Sequence, residues 1–421
     1  MTISRLANDG QMRDNLPPGW RDQPYEGWGW LDESSIVGPY RKLYYRGNGR
    51  EGQIHNARYV CFIFPGIESG FPFAQWWDNN AIGTSKFIKE SIALPENGTT
   101  TNKGQEFDVV RAGLMDVLMI GAGGSGGGAY HDNAASAGYS GGGGGAGQFL
   151  QVNGHEFTAD RYKMFVGLPT LVEINTWENM NLRGRAGDTS LFKFDALSRF
   201  AGRANNDLQI PEFSDKSMTL ELISYGGGAG GVGRKDQANV TRAAAGASSG
   251  GMSTMSSALL RDTYVEAIDP GVTGYRGGYP SYSSQGAGGG GGFAGPGLTG
   301  HRYTEPRESG SDWQTPAETD PLNDKARGGA GGPGIEFNFW GQDDEACAGG
   351  GGGCYSGTKG LGGTPGGGGD GASGQSSKGT FGNAWGAGGG GSGVSAASQT
   401  SYSTPGGMGI AAIRYRLVDE Y

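Results

Sequence analysis

Glycine comes in tracts in this chain. They begin at Gly121, Gly141, Gly226, Gly288, Gly349, Gly366 and Gly388, and glycine totals 87 of 421 residues. An ordinary chain holds about 7%. A residue without a Cβ loses the most freedom on folding, roughly 0.5–1 kcal/mol more than alanine. Net stabilities are only about 5–15 kcal/mol. Tracts on this scale therefore become ordered only if nearly every backbone group is paired and both ends are clamped; otherwise they are flexible linkers. With 18 prolines and no strict three-residue period, the chain is not collagen. Aromatic residues at 10% and charged residues at 18% are the reverse of the balance that marks disorder.

The clamps are readable. From about residue 110, short apolar runs alternate with the tracts. Strands are expected at Asp116–Ile120, Gly147–Val152, Arg161–Val166, Leu191–Phe194, Met218–Ser224 and Gly409–Leu417. Phe149, Tyr162, Phe165, Phe192 and Phe194 supply apolar bulk there. No useful helical period lies between them. Upstream, RYVCFIF at Arg58–Phe64 is β-branched and aromatic and stops at Pro65-Gly66, which reads as a strand and turn. A short helix is expected near Thr84–Ile92, capped by Thr84 or Ser85. Residues 1–35 form an extended arm rich in proline and tryptophan, with Trp20, Trp28 and Trp30 as apolar anchors. The arm lies either along another subunit or back on its own domain. The expected division is a docking arm at 1–35, a small β-rich attachment region at 36–110 and a glycine-rich domain at 111–421, all-β throughout.

One tract imitates a nucleotide site. Val117–Ile120 runs into Gly121, Gly123 and Gly126, matching G-x-G-x-x-G. The fingerprint needs a helix next, whose N-terminus faces the pyrophosphate. Here GGAYHDNAASAGYSGGGGGAG follows, and that glycine content destroys a helix. The ribose-binding position about 20 residues on falls in Gly141–Gly145, where no carboxylate exists. The match is a coincidence of composition, and no cofactor is expected.

Extended glycine segments have another use. Polyproline-II strands turn once every three residues. Where glycine occupies most faces, such strands can pack side by side and bond N–H across to the C=O of neighbours, helped by Cα–H···O contacts. The order of motifs along 110–421 resembles the glycine-rich domain of bacteriophage tail fibres and adhesins. VLMIGAGGSGGG at Val117–Gly128 is a strand running into a tract. GGGGGAGQ and RYKMFVG follow within Gly141–Gly167. GDTSLF at Gly187–Phe192, LISYGGGAGG at Leu222–Gly231 and the closing GMGIAAIRY at Gly407–Tyr415 come in the family's order. Non-glycine insertions at about 195–217, 234–283 and 298–326 depart from it, and the first 110 residues do not match.

The resemblance implies a β-sandwich-like domain with packed polyproline-II segments and no catalysis. It implies a virion structural protein, a tail-fibre or tail-tip component that meets the host surface through loops between tracts. Partners would be other virion proteins and a host-surface glycan or outer-membrane protein. A homo-oligomer, a trimer by analogy, is implied as well. The alternatives are a head, collar or baseplate protein that touches only virion proteins, and a glycan-cleaving tailspike. The start MTISRLANDGQMRD lacks a signal-peptide pattern, so synthesis in the host cytoplasm is expected.

Candidate recognition loops are YRGGYPSYSSQG at Tyr275–Gly286, with Tyr275, Tyr279 and Tyr282, and His301–Trp313, with Tyr303 and Trp313 for stacking on sugar. They serve equally well as contacts between virion subunits. A net charge of −9 without a basic stripe argues against nucleic acid, and no apolar run reaches the ~20 residues of a membrane span. His55, His131, His155 and His301 have no metal spacing and read as solvated loop residues. Asp343, Asp344 and Glu345 cluster beside Trp340, but adjacent carboxylates point apart and make no glycosidase pair. Cys347 and Cys354 enclose a tract and read as reduced thiols.

Overall fold

The computed structural model describes residues 31, 34–37, 41–49, 52–64, 104–130, 139–169, 186–194, 218–233, 243–253, 265–280, 286–300, 328–341, 345–354, 358–373, 378–394, 400–401 and 403–417. Among them every regular element is a strand. In chain order these are β1 (Ile36–Val37), β2 (Arg41–Arg46), β3 (Arg58–Phe64), β4 (Gln105–Val109), β5 (Gly113–Ile120), β6 (Ala129–Tyr130), β7 (Tyr139–Ser140) and β8 (Phe149–Phe157). They continue with β9 (Arg161–Phe165), β10 (Thr189–Phe194), β11 (Met218–Ser224), β12 (Ile335–Phe337), β13 (Glu345–Cys347), β14 (Gly393–Val394), β15 (Thr400–Ser401) and β16 (Ile410–Arg416). The fold is all-β and its sheets are antiparallel. The helix expected near Thr84–Ile92 and the arm with Trp20, Trp28 and Trp30 lie outside the described residues.

Two five-stranded sheets, ordered β1-β4-β9-β10-β11 and β2-β3-β16-β5-β8, face each other. Alternation sets the core, because successive strand residues point to opposite faces. Phe62 and Phe64, Met115, Val117 and Met119, and Ala411, Ile413 and Tyr415 point from the second sheet into one cluster. They meet Phe107, Tyr162, Met164 and Leu191 from the first sheet there. The intervening residues Cys61, Leu118, Ile120, Ile410 and Ala412 point the other way, onto Phe337, Phe339 and Trp340 beside the β12–β13 hairpin. Strands β5 and β16 are thus buried on both faces, which is why their sequences are apolar at successive positions instead of alternating. Pairing also crosses the division expected near residue 110. β1 and β4 belong to the first sheet, while β2 and β3 extend the second through β16.

Two charges interrupt the apolar run. Asp116 and Arg414 are directly opposed across β5 and β16. Both side chains have zero exposure, with Arg414 Nε 2.9 Å from Asp116 Oδ2. Asp116 Oδ1 also accepts from the Gly154 amide at 2.9 Å, and Arg414 Nη1 donates to the Phe339 carbonyl at 2.6 Å. The guanidinium lies 4.3 Å from the Phe339 ring centroid, a cation–π contact. The pair therefore pins three strands to the hairpin region beneath them.

The glycine tracts form most of the remaining described structure. β5 continues into residues 121–128, residues 141–148 lead into β8, β11 continues into 225–231, and 403–409 lead into β16. The segment 141–148 has six neighbours. Gly141, Gly144 and Gly147 donate to Ser392, Gly389 and Gly386. Gly142, Gly145 and Gln148 donate to Gly231, Gly228 and Tyr225, and Gly143 and Ala146 to Gly288 and Gly291. Its carbonyls accept from three further tracts: Gly121, Gly124 and Gly127; Ser248 and Gly251; and Gly351 and Cys354. Each partner number steps by three, the period of a polyproline-II strand. Descending numbers mark antiparallel neighbours, and the pair 288 and 291 marks a parallel one. Every residue of 348–354 and of 386–392 also donates its amide to a carbonyl.

At the glycine positions this packing leaves no room for a side chain. A Cβ on Gly143 would lie 1.9 Å from the Gly351 carbonyl oxygen, and one on Gly142 1.9 Å from that of Gly251. Real contacts of this kind begin above 3 Å. Glycine is required here by the close approach of neighbouring backbones.

Candidate functional site

The array has two unlike ends. At one, the tracts merge with the sandwich. Gly121 donates to Gln148, Gly386 to Met408 and Gly409 to Gly167, all backbone bonds, and the Gly226 amide donates to Asp188 Oδ1. The first and last described residues are at this end. Leu31 is in the sandwich core, where it packs against Gly113, and Leu417 donates to the Arg58 carbonyl.

At the other end the tracts are linked to one another. β6 pairs with β15 and β7 with β14, which makes a small rim closed over Ala129 and Val394. Gly141 donates to Ser392, Gly233 to Gly128, Cys354 to Gly141, Ala287 to Cys354, Gly300 to Tyr279 and Ala372 to Gly391. These bonds join the residues flanking 131–138, 281–285, 301–327, 355–357, 374–377 and 395–399 into one surface. It is the candidate recognition end.

The candidate residues fare differently. Tyr275 is half-buried, and its carbonyl accepts from the Ser249 amide. Tyr279 is only 8% exposed and packs on Met252, with the Arg276 guanidinium 5.8 Å from its ring centroid. That corrects its reading as a surface-recognition side chain: a ring filling the array's flank is withheld from stacking on a sugar. Tyr282, Tyr303 and Trp313 lie outside the described residues, as do His131, His301, Asp343 and Asp344. His55 is exposed in a turn. His155 is a correction, because it stands in β8 with its side chain 16% exposed rather than in a solvated loop.

Glu345 is a structural carboxylate. Its Oε1 accepts from the Trp340 indole at 3.0 Å and its Oε2 from the Trp385 indole at 3.1 Å. It ties β13 to Trp385, just ahead of the tract beginning at Gly388. The three glycines of the nucleotide-like motif have no amide to offer a phosphate. Gly121, Gly123 and Gly126 already donate to Gln148, Gly407 and Thr404. Cys61, Cys347 and Cys354 are buried thiols outside any disulfide. Burial pushes the Cys354 thiol up to about 12, opposed by a hydrogen bond from Ser140, so it is not a nucleophile at neutral pH. Among the described residues no group of three or more His, Cys, Asp or Glu could hold a metal ion, and no helix is long and apolar enough to cross a membrane.

Sequence reasoning missed the Asp116–Arg414 pair. Its signal was one acidic and one basic residue, each inside an apolar run. Two such charges in a buried sheet need a partner, and here each is the other's. No family model, no curated protein and no solved structure matches the chain.

Proposed function

We propose that this chain is a non-enzymatic bacteriophage virion protein, a tail-fibre or tail-tip component that contacts the host surface through the end of the glycine array away from the sandwich. The observation carrying the reading is the two-ended build. The sandwich holds the first and last described residues, while the tracts meet one another at the opposite end. Saturated backbone bonding makes the array a stiff spacer between an attached end and a presenting end. Presentation on a rigid scaffold limits the ordering entropy lost on binding. Ligands of this end would be a surface glycan or an outer-membrane protein, held by aromatic and polar side chains.

The test is binding of the labelled full chain to a panel of bacterial strains, beside a variant carrying Tyr282→Ala, Tyr303→Ala and Trp313→Ala. Wild type should decorate susceptible cells, and the variant should lose that binding while its thermal melt stays unchanged. Wild-type protein that decorates no strain yet enters assembled particles would overturn the reading in favour of an internal virion component. Release of sugar from host polysaccharide would overturn the non-enzymatic part.

A further inference from the structure

Among the described residues β8 and β11 are the terminal strands of their respective sheets, and a contact between His155 and Glu221 brings them together. Each is irregular where it faces the other. Between Met115 and Val117 the register slips, so Asp116 stands opposite both Asn153 and Gly154. Gly154 has φ +69°, which reorients the chain just before His155. In the other sheet Glu221 is the extra residue where the register with β10 slips between Leu191 and Phe192. Bulges re-aim side chains. These two bring His155 Nε2 to 3.9 Å from Glu221 Oε2 across the gap between the sheets. That nitrogen is buried and makes no hydrogen bond. The imidazole and the Phe157 ring meet at a right angle, centroids 4.8 Å apart.

We propose that the seam where β8 and β11 meet is acid-sensitive: closing it buries an imidazole nitrogen that makes no hydrogen bond, so the closed form disfavours the protonated ring. The seam closes over a neutral imidazole. Burial holds its pKa below the ordinary value, while Glu221 from β11 and Glu156 from β8 pull the other way without winning. Among the described residues, Glu221 is itself coupled to Lys193 of β10 and Tyr162 of β9, and Lys193 is paired with Asp160 at 3.2 Å. The sign follows by linkage. An opened edge exposes the imidazole, which then titrates near its ordinary value of about 6.5. As pH falls below that value, the open form takes up a proton that the closed form refuses. Opening therefore becomes easier by up to about tenfold per pH unit, until the closed form protonates too and the effect levels off.

Amide hydrogen exchange of the full chain, followed by mass spectrometry on peptides covering β8 and β11 and corrected for intrinsic rates, reads the opening directly. Between pH 7 and 5, wild-type opening should rise several-fold. His155→Gln should remove that dependence, and Glu221→Gln should steepen it, since the counter-charge is gone. A His155→Gln chain that keeps the wild-type dependence overturns the proposal. So does an NMR titration in which the folded wild-type His155 ring, assigned by its loss in that variant, takes up its proton at or above the free-imidazole value.

Discussion

Gly143→Ala tests whether the tracts are a close-packed solid. The new methyl carbon would sit 1.9 Å from the Gly351 oxygen, and ordinary contact begins near 3.4 Å, so the tracts must separate by 3.4 − 1.9 = 1.5 Å. Two bonds at that contact, Gly351 to Gly144 and Gly290 to Gly351, are each 2.8 Å long. An added 1.5 Å takes both beyond hydrogen-bond reach. Each buried group left unpaired costs about 1–3 kcal/mol, or roughly 2–6 kcal/mol for the two. Alanine returns only about 0.4–1 kcal/mol by stiffening the unfolded chain. The net loss, about 1–5 kcal/mol, is a large part of a typical net stability of ~5–15 kcal/mol. Gly271→Ala is the control. Nothing lies within 4 Å of its Cβ, and only its φ of +82° resists the change, at about 1–2 kcal/mol. Urea unfolding followed by tryptophan fluorescence compares the two. A Gly143→Ala midpoint at or above that of the wild type would refute close packing as the reason for glycine.

Three further outcomes are expected. Asp116→Asn or Arg414→Met alone strands a buried charge and should cost about 3–5 kcal/mol, while the double variant recovers most of it; thermal melts that show simple addition would remove the coupling. Glu345→Gln keeps one acceptor oxygen and loses the other, so one of the Trp340 and Trp385 indoles loses its partner at about 1–3 kcal/mol; an unchanged melting temperature would count against the bridge. The three buried thiols should resist a disulfide reagent at pH 8 and react only on unfolding, which absorbance titration of released thiolate measures; rapid labelling of the native chain would contradict their burial.

The reach of the sequence is clearest strand by strand. RYVCFIF at Arg58–Phe64 is β3, Met218–Ser224 is β11, and the run expected at Arg161–Val166 is β9, Arg161–Phe165. Such elements depend on local pattern: apolar period, β-branched residues, and the turn or glycine that ends them. The glycine tracts were equally legible, and so was the conclusion that their order requires saturated backbone bonding.

Neighbour choice was decided only in the folded molecule. A glycine strand carries no side chain that names its partner, so nothing local puts 141–148 at the centre with 121–127, 225–231, 248–251, 288–291, 351–354 and 386–392 around it. β16, from the far end of the chain, slots between β3 and β5 for a similar reason: pairing across hundreds of residues follows shared burial, not proximity in sequence. Tyr279 belongs to this class too. Its loop has the composition of a binding surface, yet the path of the neighbouring tracts folds its ring inward onto Met252. Composition told the chain what material to build with; the three-directional bonding of whole strands decided where each piece lies.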